Sequence, residues 1–249
     1  MYNKYRLAVI SLSEAFKRTE RLLGSAAMDE LKSSEILLFG VGGVGSFVAE
    51  ALVRSGIGNI TLVDNDNVCV TNINRQLHAT VHTVGRPKTK VMSERLLSIN
   101  PECNVRTVEH FYLPDDDGGI ITDKYDYIID AIDTVSAKID IVIKAQALGI
   151  PIISCMGTGN KLHPERLELS DIFETSVCPL CRVMRTELKK RGVKKLRVVY
   201  SKEQPIVPKY DEEQENSRKK APGSTAFVPS AAGLIIASEV VNNLTNDLR

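Results

Sequence analysis

Net charge is nearly absent from this chain: 32 Lys and Arg stand against 31 Asp and Glu, leaving +1 over 249 residues at neutral pH. No global field therefore draws the molecule to nucleic acid or to a membrane surface, and any polyanion contact has to come from a local patch. Long apolar runs are missing too. The N-terminus, Met1-Tyr2-Asn3-Lys4-Tyr5-Arg6, lacks the apolar stretch of a secretory leader, and no run reaches membrane-spanning length, so no membrane span is expected. Cysteine is sparse and odd in number (Cys69, Cys103, Cys155, Cys178, Cys181), with no even spacing. That argues against a disulfide framework and for a reducing, cytoplasmic setting. The histidines His78, His82, His110 and His163 show no mutual metal-ligand spacing and read as surface or packing residues. Residues 182–249 hold neither cysteine nor histidine, so Cys178-Pro179-Leu180-Cys181 has no later partners to complete a tetrahedral site, and no structural zinc is expected. A redox pair is another reading, because C-x-x-C at a helix start lowers a thiol's pKa.

What is present is ordinary in bulk, 43% hydrophobic and 25% charged, enough for one α/β domain with a sizeable core. The distinctive stretch is Ile36-Leu37-Leu38-Phe39-Gly40-Val41-Gly42-Gly43-Val44-Gly45. An apolar run ends in glycines, and small and apolar residues then continue at helical spacing through Leu52 and Val53. Strand, tight turn and helix follow, with Gly40, Gly42 and Gly45 in G-x-G-x-x-G spacing and Asp64 nineteen residues past the last glycine. Backbone without side chains can approach phosphates where a helix N-terminus offers free N–H groups. The alternative, a glycine turn that only packs helix on sheet, leaves the acid in register unexplained. Gly43 makes a tandem pair inside the motif.

The second strand end reads Asp64-Asn65-Asp66-Asn67-Val68-Cys69-Val70-Thr71-Asn72-Ile73-Asn74-Arg75-Gln76, followed by Gly85-Arg86-Pro87-Lys88. A nicotinamide site has no use for Arg75 and Lys88 in the same crevice, whereas a triphosphate needs its developing charge neutralised. Asp66 could instead cap the following turn. Asp133 lies past the apolar strand Ile128-Ile129-Asp130, where ligand-facing groups belong, although an N-cap for the next helix is the competing role.

Glycine loop, D-x-D-x-V-x-x-x-N-x-x-R-Q, lysine and Asp133, in this order and spacing, resemble the ThiF/MoeB/ubiquitin-activating superfamily. The likeness is strongest to the TcdA branch of tRNA threonylcarbamoyladenosine dehydratases, on Gly42-Gly43-Val44-Gly45-Ser46, Gly56-Ile57-Gly58, Val68-Cys69-Val70-Thr71-Asn72 and Ile99-Asn100-Pro101-Glu102-Cys103. The resemblance implies MgATP-dependent adenylation of a carboxylate. ATP would lie on Gly40, Gly42, Gly43 and Gly45, with Asp64 on its ribose, Arg75 and Lys88 on its phosphates, Asp66, Asn72 and Gln76 also among its binding residues, and magnesium at Asp133. It also implies a homodimer in which an N-terminal arginine, Arg21 or else Arg18, reaches the partner's ATP; a solvated helix face is the plain alternative. Superfamily members often use two C-x-x-C pairs on one zinc, which makes Cys178 and Cys181 a remnant. Some use a loop cysteine before the last helix, where this chain has Gly223-Ser224-Thr225. A tethered nucleophile needs no such cysteine. The implied substrate is tRNA carrying threonylcarbamoyladenosine; the rival is a ubiquitin-like sulfur carrier or another sulfur-transfer partner.

The expected fold is a Rossmann-like, doubly wound, mostly parallel sheet with a C-terminal sheet extension and a basic helix. Strands are expected near 36–39, 59–63, 104–109, 126–131 and 150–154, and helices near 44–55, 86–99 and 135–148. N-terminal helices occupy 1–32 (Ser11 to Leu23 and Ser25 to Leu31), a nucleotide-binding core 33–155, and an extension 156–249. The extension contains an extra strand at Arg166–Ser170, a crossover loop at about 201–224 and a final helix around Ser230–Val241. All of this is read as one ThiF-type adenylation domain over 1–249. The basic run Arg182, Arg185, Lys189, Lys190, Arg191, Lys194, Lys195, continued at Arg218-Lys219-Lys220, is either a solvated face or, for an enzyme acting on tRNA, a phosphate-tracking surface.

Overall fold

The computed structural model describes residues 12–207, 209 and 222–248. Ser11 and the basic triplet Arg218-Lys219-Lys220 lie outside them. Seven strands form one sheet in the order β3-β2-β1-β4-β5-β7-β6. They are β1 (Glu35–Phe39), β2 (Asn59–Val63), β3 (Asn104–Val108), β4 (Tyr127–Asp130), β5 (Ile152–Cys155), β6 (Leu167–Asp171) and β7 (Arg197–Ser201). All neighbours pair parallel except β6 with β7. The helices are α1 (Leu12–Ala15), α2 (Lys17–Leu23), α3 (Ser25–Ser33), α4 (Gly45–Ser55), α5 (Lys88–Ile99), α6 (Val135–Ala147), α7 (Pro179–Lys190) and α8 (Phe227–Thr245).

Burial on both faces explains why β1 reads as an unbroken apolar run. Ile36 and Leu38 pack into one core with α4, α5 and α8, while Leu37 and Phe39 pack into the other with α6 and α7. Period-two alternation thus separates two cores rather than core from solvent. Each of these side chains is fully buried, worth about 2 kcal/mol apiece, so packing rather than propensity holds the strand. The chain runs outward from β1 through β2 to β3 and then returns to place β4 on the other side of β1, and ligands bind where such an order reverses.

Three expectations are corrected. The first N-terminal helical pattern is two helices, parted at Phe16. No strand was expected between the basic run and the crossover loop, yet residues 197–201 form β7, a strand inside the sheet. The last helix is longer than its small-residue core suggested, and Phe227–Leu248 is long and apolar enough by composition to cross a membrane. Its packing gives it another role: nine of its residues, from Val228 to Thr245, are buried. At Gly233 its backbone presses on the first turn of α4, where a Cβ would sit 2.6 Å from the Val44 carbonyl oxygen.

His78 follows β2 in a buried position, 3% exposed, with neither ring nitrogen partnered among the described residues. Burial, then the nearby Lys88 and Arg95 cations, pushes its imidazole down to about 4 from an ordinary 6.5. Because the folded value is depressed for a base, the neutral ring is favoured in the fold. Its contribution is intact above pH 6.5 and is lost as pH falls toward 4, amounting to about 3 kcal/mol. Unfolding free energies of the wild type and His78→Gln from urea titrations should therefore converge by about that amount between pH 7 and pH 4. Parallel curves would mean the ring is solvated.

Candidate active site

A cavity of about 720 Å³ opens at the carboxyl ends of β1, β2, β4 and β5. Its floor is the glycine turn. Gly40 adopts φ +87°, which only glycine takes without strain, and its N–H donates to Val63 while the Val41 N–H donates to Asp64 Oδ2 at 2.7 Å. The α4 N-terminus has no side-chain cap, and the amides of Gly42, Gly43 and Val44 donate to nothing among the described residues. Unpaired donors at the positive end of an eleven-residue helix make an anion cradle.

The glycines divide by role. Gly40, Gly42 and Gly43 line the cavity. Gly45 does not; its Cβ would fall 1.8 Å from the Gly40 carbonyl oxygen, so it serves the closure of the turn.

Two cations reach the cavity from separate segments. Arg75 Nη1 donates to the Thr71 carbonyl at 2.7 Å and to Asn74 Oδ1 at 3.0 Å, neutral partners that leave its charge unspent. Its stem covers Gly43, whose Cβ would meet Arg75 Cγ at 3.4 Å. Lys88, the first residue of α5, is 6% exposed, with Nζ 2.6 Å from Asp66 Oδ2 and 3.9 Å from Asp64 Oδ1. Backbone hydrogen bonds from Lys88 N to Asp66 O and from Val68 N to Arg86 O dock the start of α5 on the segment after β2. Asp66 is therefore an ion-pair partner rather than a turn cap. Burial raises the Asp64 carboxyl above its ordinary range, against the opposing pull of Lys88 and the amides of Val41 and Asp66.

Gln76 lines the cavity with its Oε1 unpartnered. Asn72 does not line it: its Oδ1 accepts the Cys69 N–H at 3.0 Å and braces the turn that presents Arg75 and Gln76. Asp133 lines the cavity, is exposed, and makes no hydrogen bond or ion pair among the described residues. The helix N-cap is Thr134, without a side-chain bond, so the capping alternative for Asp133 falls. Arg21 and Arg18 are exposed on α2 and do not line the cavity of their own chain.

Other lining residues were not singled out from sequence. His110, Phe111 and Tyr112 follow β3, and Gly157, Thr158 and Gly159 follow β5. The signal was available, since both segments continue from strand ends on the ligand side, as Asp133 does. The roof comes from Pro222 and Ser224. Asn160 and Gly223 exchange two hydrogen bonds, Asn160 N to Gly223 O at 2.7 Å and Gly223 N to Asn160 Oδ1 at 2.6 Å. Asn74 Nδ2 holds Ser224 O from the opposite wall at 3.0 Å.

Cys178 and Cys181 are buried in the core beside α6, and Leu180 between them faces the cavity. A hydrogen bond from the Cys181 thiol lowers the Cys178 thiol, and the same bond raises Cys181.

The basic run is less available than its sequence suggests. Arg185 turns inward to the Thr175 carbonyl at 2.9 Å, and Lys190 and Arg191 share Glu187 at 2.7 and 2.6 Å. Arg182, Lys189, Lys194 and Lys195 are exposed without an ion pair among the described residues.

Comparison with known proteins agrees with this geometry. The ThiF family profile matches residues 16–248. A tRNA threonylcarbamoyladenosine dehydratase of Bacillus subtilis (strain 168) is 44% identical over 242 residues, covering 94% of this chain and 95% of the relative. The enzyme of the same name from Escherichia coli (strain K12) is 40% identical over 206 residues, covering 80% of this chain and 77% of the relative. Crystal structures of E. coli tRNA N6-threonylcarbamoyladenosine dehydratase, TcdA, in complex with AMP and with ATP, each superimpose with TM-score 0.87, at 35% and 34% identity, covering 96% of both chains. On the profile match and these relatives, the chain belongs to the ThiF family.

Proposed function

We propose that this chain is an ATP-dependent tRNA threonylcarbamoyladenosine dehydratase. The observation that carries it is the convergence of Arg75 and Lys88 on one cavity with the unpaired amides of the α4 N-terminus. That arrangement suits a nucleoside triphosphate, with Asp64 at the ribose. The family relatives supply the acceptor: the threonyl carboxylate of the modified adenosine next to the anticodon. Its oxygen attacks the α-phosphorus and pyrophosphate departs with charge that the two cations neutralise. Attack on the activated carbonyl from within the same side chain then closes a five-membered ring and expels AMP. Tethering supplies the effective concentration that a protein nucleophile would otherwise provide. Asp133, exposed in the cavity, would hold magnesium bound with the triphosphate. Two copies would complete the site, with Arg21 or Arg18 directed to the partner's cavity, consistent with both side chains standing clear of their own.

Radiolabelled pyrophosphate exchange into ATP tests the reading. Exchange should depend on tRNA carrying threonylcarbamoyladenosine. Exchange with a Gly-Gly-tailed carrier protein instead would replace this reading with carrier activation.

The exposed cations at and beyond the end of α7 form the tRNA-tracking face. Leu180 lines the cavity and Lys189 lies nine residues on, about 14 Å along the helix axis, a short step on the scale of an anticodon stem. Replacing Lys189, Lys194 and Lys195 by Ala should reduce the slope of log affinity against log salt by about 2. Replacing Lys190 and Arg191, already paired with Glu187, should change it less. Equal slopes for the wild type and the first variant would reject this face.

A further inference from the structure

We propose that Lys138 is a positioning residue that sets the spacing of two walls of the cavity; the inference deepens the adenylation reading and rests on it. Lys138 lies on α6, and its side chain is 0% exposed. Its ammonium makes three contacts, all to oxygen: Asp130 Oδ2 at 2.8 Å, the Cys155 carbonyl at 2.8 Å and the Ile132 carbonyl at 3.2 Å. Asp130, also 0% exposed at the end of β4, accepts the Ile132 N–H through Oδ1 at 3.3 Å.

The pair therefore grips Ile132 at both backbone groups, one residue before Asp133. By the same ammonium it holds Cys155, the last residue of β4's neighbour β5 and the first of its run that lines the cavity. The loop after β4 and the carboxyl end of its parallel neighbour β5 thus share one cation as their common fastening. An apolar pair of equal volume would fill the space but fasten nothing. Burying two charges is costly, and their replacement by apolar groups is often neutral or stabilising, so stability alone does not account for the pair. Its geometry supplies a purpose: it fixes how far the Asp133 carboxylate stands from the Met156–Gly157 wall.

The test compares Lys138→Met, which leaves Asp130 buried and unpaired, with the double variant Asp130→Leu/Lys138→Met, which removes both charges. The melting midpoint is measured first; the ATP dissociation constant by equilibrium dialysis, and KM for ATP and kcat in tRNA-dependent pyrophosphate exchange, are then read at a temperature well below it. The single variant should melt earlier. The double variant should recover most of the midpoint yet retain a kcat/KM for ATP lowered at least about tenfold, because the carbonyls of Ile132 and Cys155 remain unfastened. Wild-type kinetics in the double variant would overturn the proposal and reduce the pair to a packing element. Failure of both variants to fold would overturn it equally. If wild-type protein binds ATP but shows no tRNA-dependent exchange, the functional reading fails, and the ATP dissociation constants still decide the role of Lys138.

Discussion

Arg75→Ala should lower tRNA-dependent pyrophosphate exchange by about 10²–10³-fold while leaving the thermal midpoint where it is. The fold loses little, because Arg75 is only half-buried and its hydrogen bonds go to Thr71 and Asn74 on its own turn. The reaction loses a full positive charge beside the α4 amides, where the departing pyrophosphate gathers negative charge. Lys88→Met should cost exchange as much, with a difference that identifies it. Lys88 is buried against Asp66 and near Asp64, so its removal leaves two carboxylates facing each other without a cation. ATP, bringing further negative charge, should then bind more weakly as well as react more slowly. A Lys88→Met enzyme with normal exchange would remove the electrostatic basis of the assignment.

The second large effect separates folding from binding within one turn. Gly45→Ala should leave little soluble, folded protein, since the new methyl carbon would overlap the Gly40 carbonyl oxygen at 1.8 Å and neither backbone can yield. Gly42→Ala should fold normally, because its Cβ would meet nothing closer than Gln76 Nε2 at 3.9 Å. That methyl would instead stand where phosphate must approach, and ATP affinity should fall at least about tenfold. Circular dichroism melts and equilibrium dialysis on the two variants read the outcomes independently. A Gly42→Ala protein with undiminished ATP affinity would show that the phosphates lie elsewhere.

Much of this was legible in the chain itself. Strands β1 and β2 and helix α4 announce themselves because apolar runs and glycine punctuation are local signals, and Asp64, Arg75 and Lys88 stand at fixed offsets from them. Strand β7 was hidden because Arg197 and the lysines before it masked a short apolar run, Val198-Val199-Tyr200, whose burial depends on β5 and β6 arriving on either side. Asn72 resembled a ligand by position, yet its side chain is spent on its own turn. Nothing local marks Asn160 as the partner of Gly223, 63 residues away. Lys138 and Asp130 were conspicuous only as charges inside apolar segments, a pattern whose meaning waits on knowing that β4 and β5 are neighbours.

The contact between Gly233 and the first turn of α4 has a consequence for how the molecule can be divided. Every glycine of the phosphate cradle lies within the first fifth of the chain, so a short N-terminal fragment would hold the complete fingerprint. The buttress behind those amides nevertheless arrives almost two hundred residues later, with Pro229 against Gly43 and Gly233 against Val44. Such an excised piece would carry the letters of the motif without the rigidity that gives them purchase on an anion.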